Sequence, residues 1–127
     1  MRKTLASFAA AGSLALAAVM ALPGSAHAAP DCNYGDFCAW TDANFGGQRF
    51  NWSGNDHWWE SNIADEDSSW ENNGIPGSYS FVGVWASAGE SGGMTLCLAP
   101  GDEISYDAWA NDSGDSHFWY RYFDCTD

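Results

Sequence analysis

The side chains with the most chemical reach in this 127-residue chain are four cysteines, three histidines, seventeen acids and two glycine-flanked serines. Cys32, Cys38, Cys97 and Cys125 contain no Cys-x-x-Cys pair, and His57 and His117 stand apart from them. Structural zinc needs four such ligands at close spacings, so the cysteines read as two disulfides. Four cysteines allow three pairings. Cys32 and Cys38 bracket the turn-rich Asn33–Phe37 stretch with Gly35, which closes a short loop and leaves Cys97 for Cys125. His57 has Glu60 three residues on, but two ligands do not make a metal site. Ser91 in Gly89-Glu-Ser-Gly-Gly93 and Ser116 after Gly114-Asp115 have the flanks of a hydrolase nucleophile. Such a serine needs a base and an orienting acid in a prepared pocket, and no histidine stands at a credible spacing. Asp102-Glu103 offers paired carboxylates of the kind that cleave glycosides, but a chain this short has little room for a sugar cleft. The expected catalytic set is empty, so the protein should not be an enzyme.

The tryptophans point to binding instead. Trp52, Trp58 and Trp59 lie among polar residues between Asn51 and Asn62. Exposed together, they would form a stacking platform for cell-wall glycans or an anchor for a protein partner. The competing expectation is that adjacent Trp58 and Trp59 split, one packing inward and the other lying on the surface.

The N-terminus reads as a secretory leader. Met1-Arg2-Lys3 precedes an apolar stretch from Leu5 to Leu22, and Ser25-Ala26-His27-Ala28 supplies the small residues of a cleavage site. The expected organisation is a signal peptide over 1–28 and a single domain over 29–127, extracellular and disulfide-permissive. The full chain carries −13, and the leader takes two of its four bases, Arg2 and Lys3, and no acid. The remainder therefore carries −15, with Arg49 and Arg121 its only bases. Nucleic acids and anionic membranes are held by clustered Lys and Arg, so neither is an expected partner. With 8 Trp, 5 Tyr and 7 Phe in the whole sequence, even a short domain has the burial energy to fold, as a monomer.

Short apolar alternations, broken by Gly, Asn, Asp and Ser every eight to fifteen positions, predict strands rather than helices. They fall at Phe37–Trp40, Gln48–Trp52, Tyr79–Trp85, Met94–Leu98, Glu103–Tyr106 and His117–Phe123, with one helical turn available over Asp56–Asn62. The chain also repeats. Trp40-Thr-Asp-Ala-Asn-Phe45-Gly-Gly47 and Asp65–Ser69 are echoed by Trp85–Gly93 and Asn111–Ser116. Four strands per half predict an all-β sandwich of two Greek-key motifs.

Trp40, Phe45 and Gly47 match the aromatic, four residues, aromatic, any residue, glycine pattern of the βγ-crystallin superfamily. Cys32-Asn-Tyr-Gly-Asp-Phe-Cys38-Ala-Trp40 followed by Asn44–Gly47 resembles, more narrowly, the Streptomyces metalloproteinase inhibitor family. The second repeat departs from the pattern, because Glu90 stands where an aromatic belongs. The resemblance implies a βγ-crystallin-like sandwich that inhibits an extracellular peptidase by presenting a rigid loop. The resembled inhibitors hold that loop with a second short disulfide, whereas Cys97 and Cys125 are 28 positions apart, so no reactive bond carries over. The resemblance also points to calcium. Ala64–Ser69 and Asn111–Ser116 each approach the crystallin-type calcium loop with one departure, making Asp65, Ser68, Asp112 and Asp115 the candidate ligands. A calcium- or glycan-binding module and a crystallin-like toxin are the alternatives to an inhibitor.

Overall fold

The computed structural model describes residues 30–121 and Cys125; the expected leader over 1–28 and the expected strand end at Phe123 lie outside them. The alternating segments pair as hairpins. The first is β1 (Phe37–Asp42) with β2 (Gly46–Trp52), followed by β3 (Ser69–Asn72). The second is β4 (Phe81–Ser87) with β5 (Ser91–Leu98), followed by β6 (Glu103–Ile104) and β7 (Ser116–Tyr120). Every pairing is antiparallel, in two sheets of order β2-β1-β3-β6 and β5-β4-β7.

The sheet order encodes the repeat. β6 belongs to the second half but pairs with β3 of the first. Reciprocally, Asp56 of the first half makes a single bridge to His117 of β7. The two Greek keys thus exchange their third strands, and in the first half that strand has shrunk to one rung, where Ser53-Gly-Asn-Asp56 offers no strand-forming side chain.

Both hairpins turn through left-handed backbone, at Asn44, Phe45 and Gly47 in the first and at Gly89, Glu90 and Gly92 in the second. At Gly47 (φ 72°) an added Cβ would lie 2.3 Å from Thr41 Oγ1, so only glycine fits. One serine clamps each turn. Ser69 Oγ–H donates to the Asp42 carbonyl (2.7 Å) and accepts from Phe45 N–H (3.0 Å). Ser116 Oγ–H donates to the Ser87 carbonyl (2.8 Å) and accepts from Glu90 N–H (3.1 Å). Phe45 packs edge-on against Trp40, with ring centroids 5.2 Å apart. Glu90, in the equivalent place, reaches the His57 imidazole instead (2.6 Å).

The core lies between the sheets, where Phe37, Ala39, Trp59, Ile63, Trp70, Val82, Val84 and Leu98 are buried. One strand was not expected, and the start of another is corrected. β3 was invisible to alternation because all four of its residues are buried, polar ones included. Tyr79 lies outside β4, which begins at Phe81. A register shift between Val84 and Trp85 turns Met94 over Gly83, away from the face that carries Leu96 and Leu98. Disulfides join Cys32 to Cys38 (Cα–Cα 5.9 Å) and Cys97 to Cys125 (5.6 Å).

Candidate functional site

The two acidic loops come together, and a carboxylate that the sequence did not single out joins them. Asp67 is buried between the repeats. Its Oδ1 accepts from Ser113 N–H (3.1 Å) and Gly114 N–H (2.9 Å), and its Oδ2 from the Trp70 indole N–H (2.7 Å). Gly114 must be glycine, because a Cβ there would lie 2.4 Å from Asp67 Oδ2 and 2.7 Å from the Trp59 ring. Burial pushes the Asp67 carboxyl up to about 6, against the pull of its donors. Its acidity serves the fold, and the signal that could have found it was the tryptophan three residues on.

Around this plug the backbone is reciprocal. Asp65 N–H donates to the Gly114 carbonyl (2.8 Å), and Asp112 N–H to the Asp67 carbonyl (2.7 Å). Asp65 and Asp112 both adopt left-handed backbone, at φ 58° and 55°. The four expected calcium ligands thus fall into two sets. Asp65 and Asp115 line one concavity of about 360 Å³ together with Trp58, Ser61, Ala64 and Ala88. The Asp115 carboxyl is raised above its ordinary value by desolvation first and by the Asp65 charge second. Asp112 instead lies beside the Asp67–Ser68 backbone, where Ser68 is buried. Among the described residues, no three His, Cys, Asp or Glu side chains gather closely enough to hold a metal ion.

The expected tryptophan platform does not form. Trp59 is buried, Trp52 is half-buried against it with stacked rings 5.0 Å apart, and Trp58 alone is exposed, at 79 %. The reason is chemical: the Trp59 indole N–H has a buried acceptor. It donates to Nδ1 of His117 (2.8 Å), whose Nε2 in turn lies 2.7 Å from the Gly54 carbonyl. An indole only donates, so Nδ1 must accept and Nε2 carries the proton. His117 is therefore neutral, and burial holds it down to about 4. With both ring nitrogens engaged, His117 has none to offer a metal or a substrate. The exposed tryptophan that sequence reasoning missed is Trp109, 80 % exposed. It walls a second concavity of about 300 Å³ with Ala86 and Gly92–Thr95.

The serine motifs are structural too. Ser116 is buried in its turn clamp, and Ser91 Oγ–H donates to the Ala88 carbonyl (2.9 Å).

Two antiparallel sheets, paired turn clamps and exchanged third strands define the fold of a βγ-crystallin domain, and solved structures agree. A structure described under the evolution of the eye-lens βγ-crystallin domain fold aligns with a TM-score of 0.60 at 15 % identity, over 75 % of this chain and 93 % of that one. A βγ-crystallin from an archaeon aligns at 0.55 and 21 %, over 68 % and 99 %. A βγ-crystallin domain from Clostridium beijerinckii aligns at 0.53 and 20 %, over 67 % and 97 %. At these identities the likeness establishes the fold alone. No curated protein sequence matches the chain. The family model described as peptidase inhibitor family I36 matches residues 25–98, more than half of the sequence, and the chain belongs to that family. It is accordingly a non-enzymatic protein of the peptidase-inhibitor class.

Proposed function

We propose that the protein is exported, loses residues 1–28, and acts as a monomer that blocks an extracellular metallopeptidase by occupying its substrate cleft. The observation that carries this reading is the family match over residues 25–98. Two further features support it. Crosslinks at Cys32–Cys38 and Cys97–Cys125 suit an oxidising compartment and a stiff domain. A preformed surface also loses little conformational entropy on docking, which is how an inhibitor gains affinity without a large interface. The test is a panel of metallo-, serine and cysteine peptidases titrated with the mature protein. Stoichiometric inhibition of a thermolysin-type metallopeptidase is expected. Inhibition confined to serine or cysteine peptidases would refute the metallopeptidase assignment, and inhibition of none would refute the inhibitor reading.

The second reading is that calcium stabilises the folded protein at Asp65 and Asp115. The favouring observation is their shared concavity, in which desolvation and then the Asp65 charge raise the Asp115 carboxyl above its ordinary value. Carboxylate oxygens are suitable donors for calcium, and a divalent cation would relieve their repulsion. Ser68 and Asp112, on the other side of the Asp67 plug, would contribute a second, weaker position. A ligand at a hundred times its Kd adds about 2.7 kcal/mol, which raises Tm by roughly 10–20 °C for a domain of this size. Melting at fixed ionic strength should show millimolar calcium exceeding sodium, with Asp65→Asn and Asp115→Asn removing most of the gain. Equal midpoints in the two salts would refute calcium binding.

A further inference from the structure

Between β3 and β4 the chain leaves the fold. Residues 75–79 are all exposed, the longest such run among the described residues, and are flanked by buried Gly74 and Ser80. The run reads Ile-Pro-Gly-Ser-Tyr, with Ile75 63 % and Tyr79 57 % exposed. The run carries an isoleucine and a tyrosine, and more than half of each is left open to solvent.

The base of the loop is held on several sides. Asn72, fully buried, donates from Nδ2 to the carbonyls of Ser80 (2.7 Å) and Leu98 (2.9 Å). Its Oδ1 accepts from Gly74 N–H (2.9 Å), so one side chain ties both ends of the loop together. Asn73 fastens the loop to the disulfide segment. Its Nδ2 donates to the Cys32 carbonyl (2.8 Å), its N–H to the Asp36 carbonyl (3.0 Å), and its carbonyl accepts from Gly35 N–H (2.7 Å). Gly74 is wedged so close under Trp119 that a Cβ would lie 2.5 Å from the ring. Ser80 Oγ–H reaches back to the Gly77 carbonyl (2.9 Å), and Arg121 lies over the Tyr79 ring at 4.9 Å.

Pro76 shapes what the loop presents. It drives the preceding Ile75 toward extended backbone, as in a bound peptide, and it has no N–H to pair with a peptidase's substrate-binding strand. Ile75 also sits close to Gly35, beside Tyr34, itself 71 % exposed. On a strongly acidic chain this segment is itself uncharged, with no charged residue from Asn72 to Gly89, and Arg121 flanks it at Tyr79. Its chemistry suits an apolar pocket and does not suit a basic patch.

Resting on the inhibitor reading above, we propose that Ile75–Tyr79 is the segment that enters the peptidase cleft, with Ile75 as the anchor that fills an apolar side-chain pocket and Tyr34 and Tyr79 as its flanks. A rigid apolar anchor on a preorganised loop is the arrangement that concentrates binding energy in few residues. The loop stands at the opposite end of β4 from the concavities of Trp58 and Trp109, which gives the experiment an internal control.

Inhibition constants are measured for the wild type, Ile75→Ala, Ile75→Asp, Tyr79→Ala and Trp58→Ala, with melting curves alongside. All three side chains are more than half exposed, so each variant should melt within a few degrees of the wild type. The expected result is a loss of about 30-fold or more for Ile75→Ala, since that is the scale of a binding anchor, and a greater loss for Ile75→Asp. Tyr79→Ala should lose less than either, and Trp58→Ala less than about 3-fold. Ile75→Asp inhibiting as the wild type does, or Trp58→Ala losing more than Ile75→Asp, overturns the assignment of the loop while leaving the inhibitor reading intact. A wild-type protein that inhibits no peptidase overturns that reading, and this proposal with it.

Discussion

Trp59→Ala is expected to unfold most of the protein at moderate temperature, while Trp58→Ala next to it should leave stability nearly unchanged. Trp59 is 1 % exposed, stacked on Trp52 and in contact range of the Phe37 and His117 rings. Truncating a buried tryptophan costs about 3–5 kcal/mol in lost transfer energy and cavity. It also strips the donor from His117 Nδ1 in a dry site, which adds about 1 kcal/mol or more. Single domains hold only about 5–15 kcal/mol in total. At about 4–8 °C per kcal/mol the midpoint should fall by roughly 15–50 °C. Trp58, 79 % exposed, should cost within about 0.5 kcal/mol. Urea unfolding of both variants checks this directly. Equal losses at 58 and 59 would mean that the two rings are not partitioned between surface and core.

Asp67→Ala carries the other large effect. Three N–H groups, those of Trp70 and Gly114 buried and that of Ser113 half-buried, lose their acceptor at once. Each such orphan costs about 1–3 kcal/mol, offset in part because the Asp67 carboxyl is itself strained by burial. A net loss of about 3–5 kcal/mol follows. Asp65→Asn and Asp112→Asn are the controls, since both positions are exposed and asparagine tolerates their left-handed backbone. Without calcium these two should stay within about 0.5 kcal/mol of the wild type. Chemical denaturation at constant ionic strength separates them; an Asp67→Ala midpoint matching those of the controls would contradict the role of Asp67 as the link between repeats.

These contrasts mark what the amino-acid pattern makes legible. Hairpins β1–β2 and β4–β5 announce themselves through period-two alternation and glycine turns, and the Trp40, Phe45 and Gly47 pattern leads to the right fold even though Glu90 breaks it in the second repeat. β3 escapes because alternation needs one wet face, and Ser69–Asn72 has none. The partition of Trp58 from Trp59 rests on His117, 58 residues away, supplying an acceptor. Asp67 likewise looks like one more carboxylate in an acidic run until its partners at 113 and 114 arrive. The loop at 75–79 reads in sequence as a linker running into a strand at Tyr79; the side chains that stiffen it, Asn72, Asn73 and Trp119, announce nothing by type. Glu71 shows the same limit. Among the described residues its buried Oε2 has no hydrogen-bond partner, and desolvation, then Glu103 and Asp31, raise its carboxyl to about 7, so it holds its proton close to neutrality.

The central claim, that this rigid non-enzymatic sandwich blocks a peptidase by occupying its cleft, is tested most directly by competition. The mature protein is titrated calorimetrically into a peptidase that it inhibits, once with the active site free and once with it filled by a tight small-molecule inhibitor. The account predicts one-to-one binding to the free enzyme and none to the filled one. Equal affinity for both forms would contradict it.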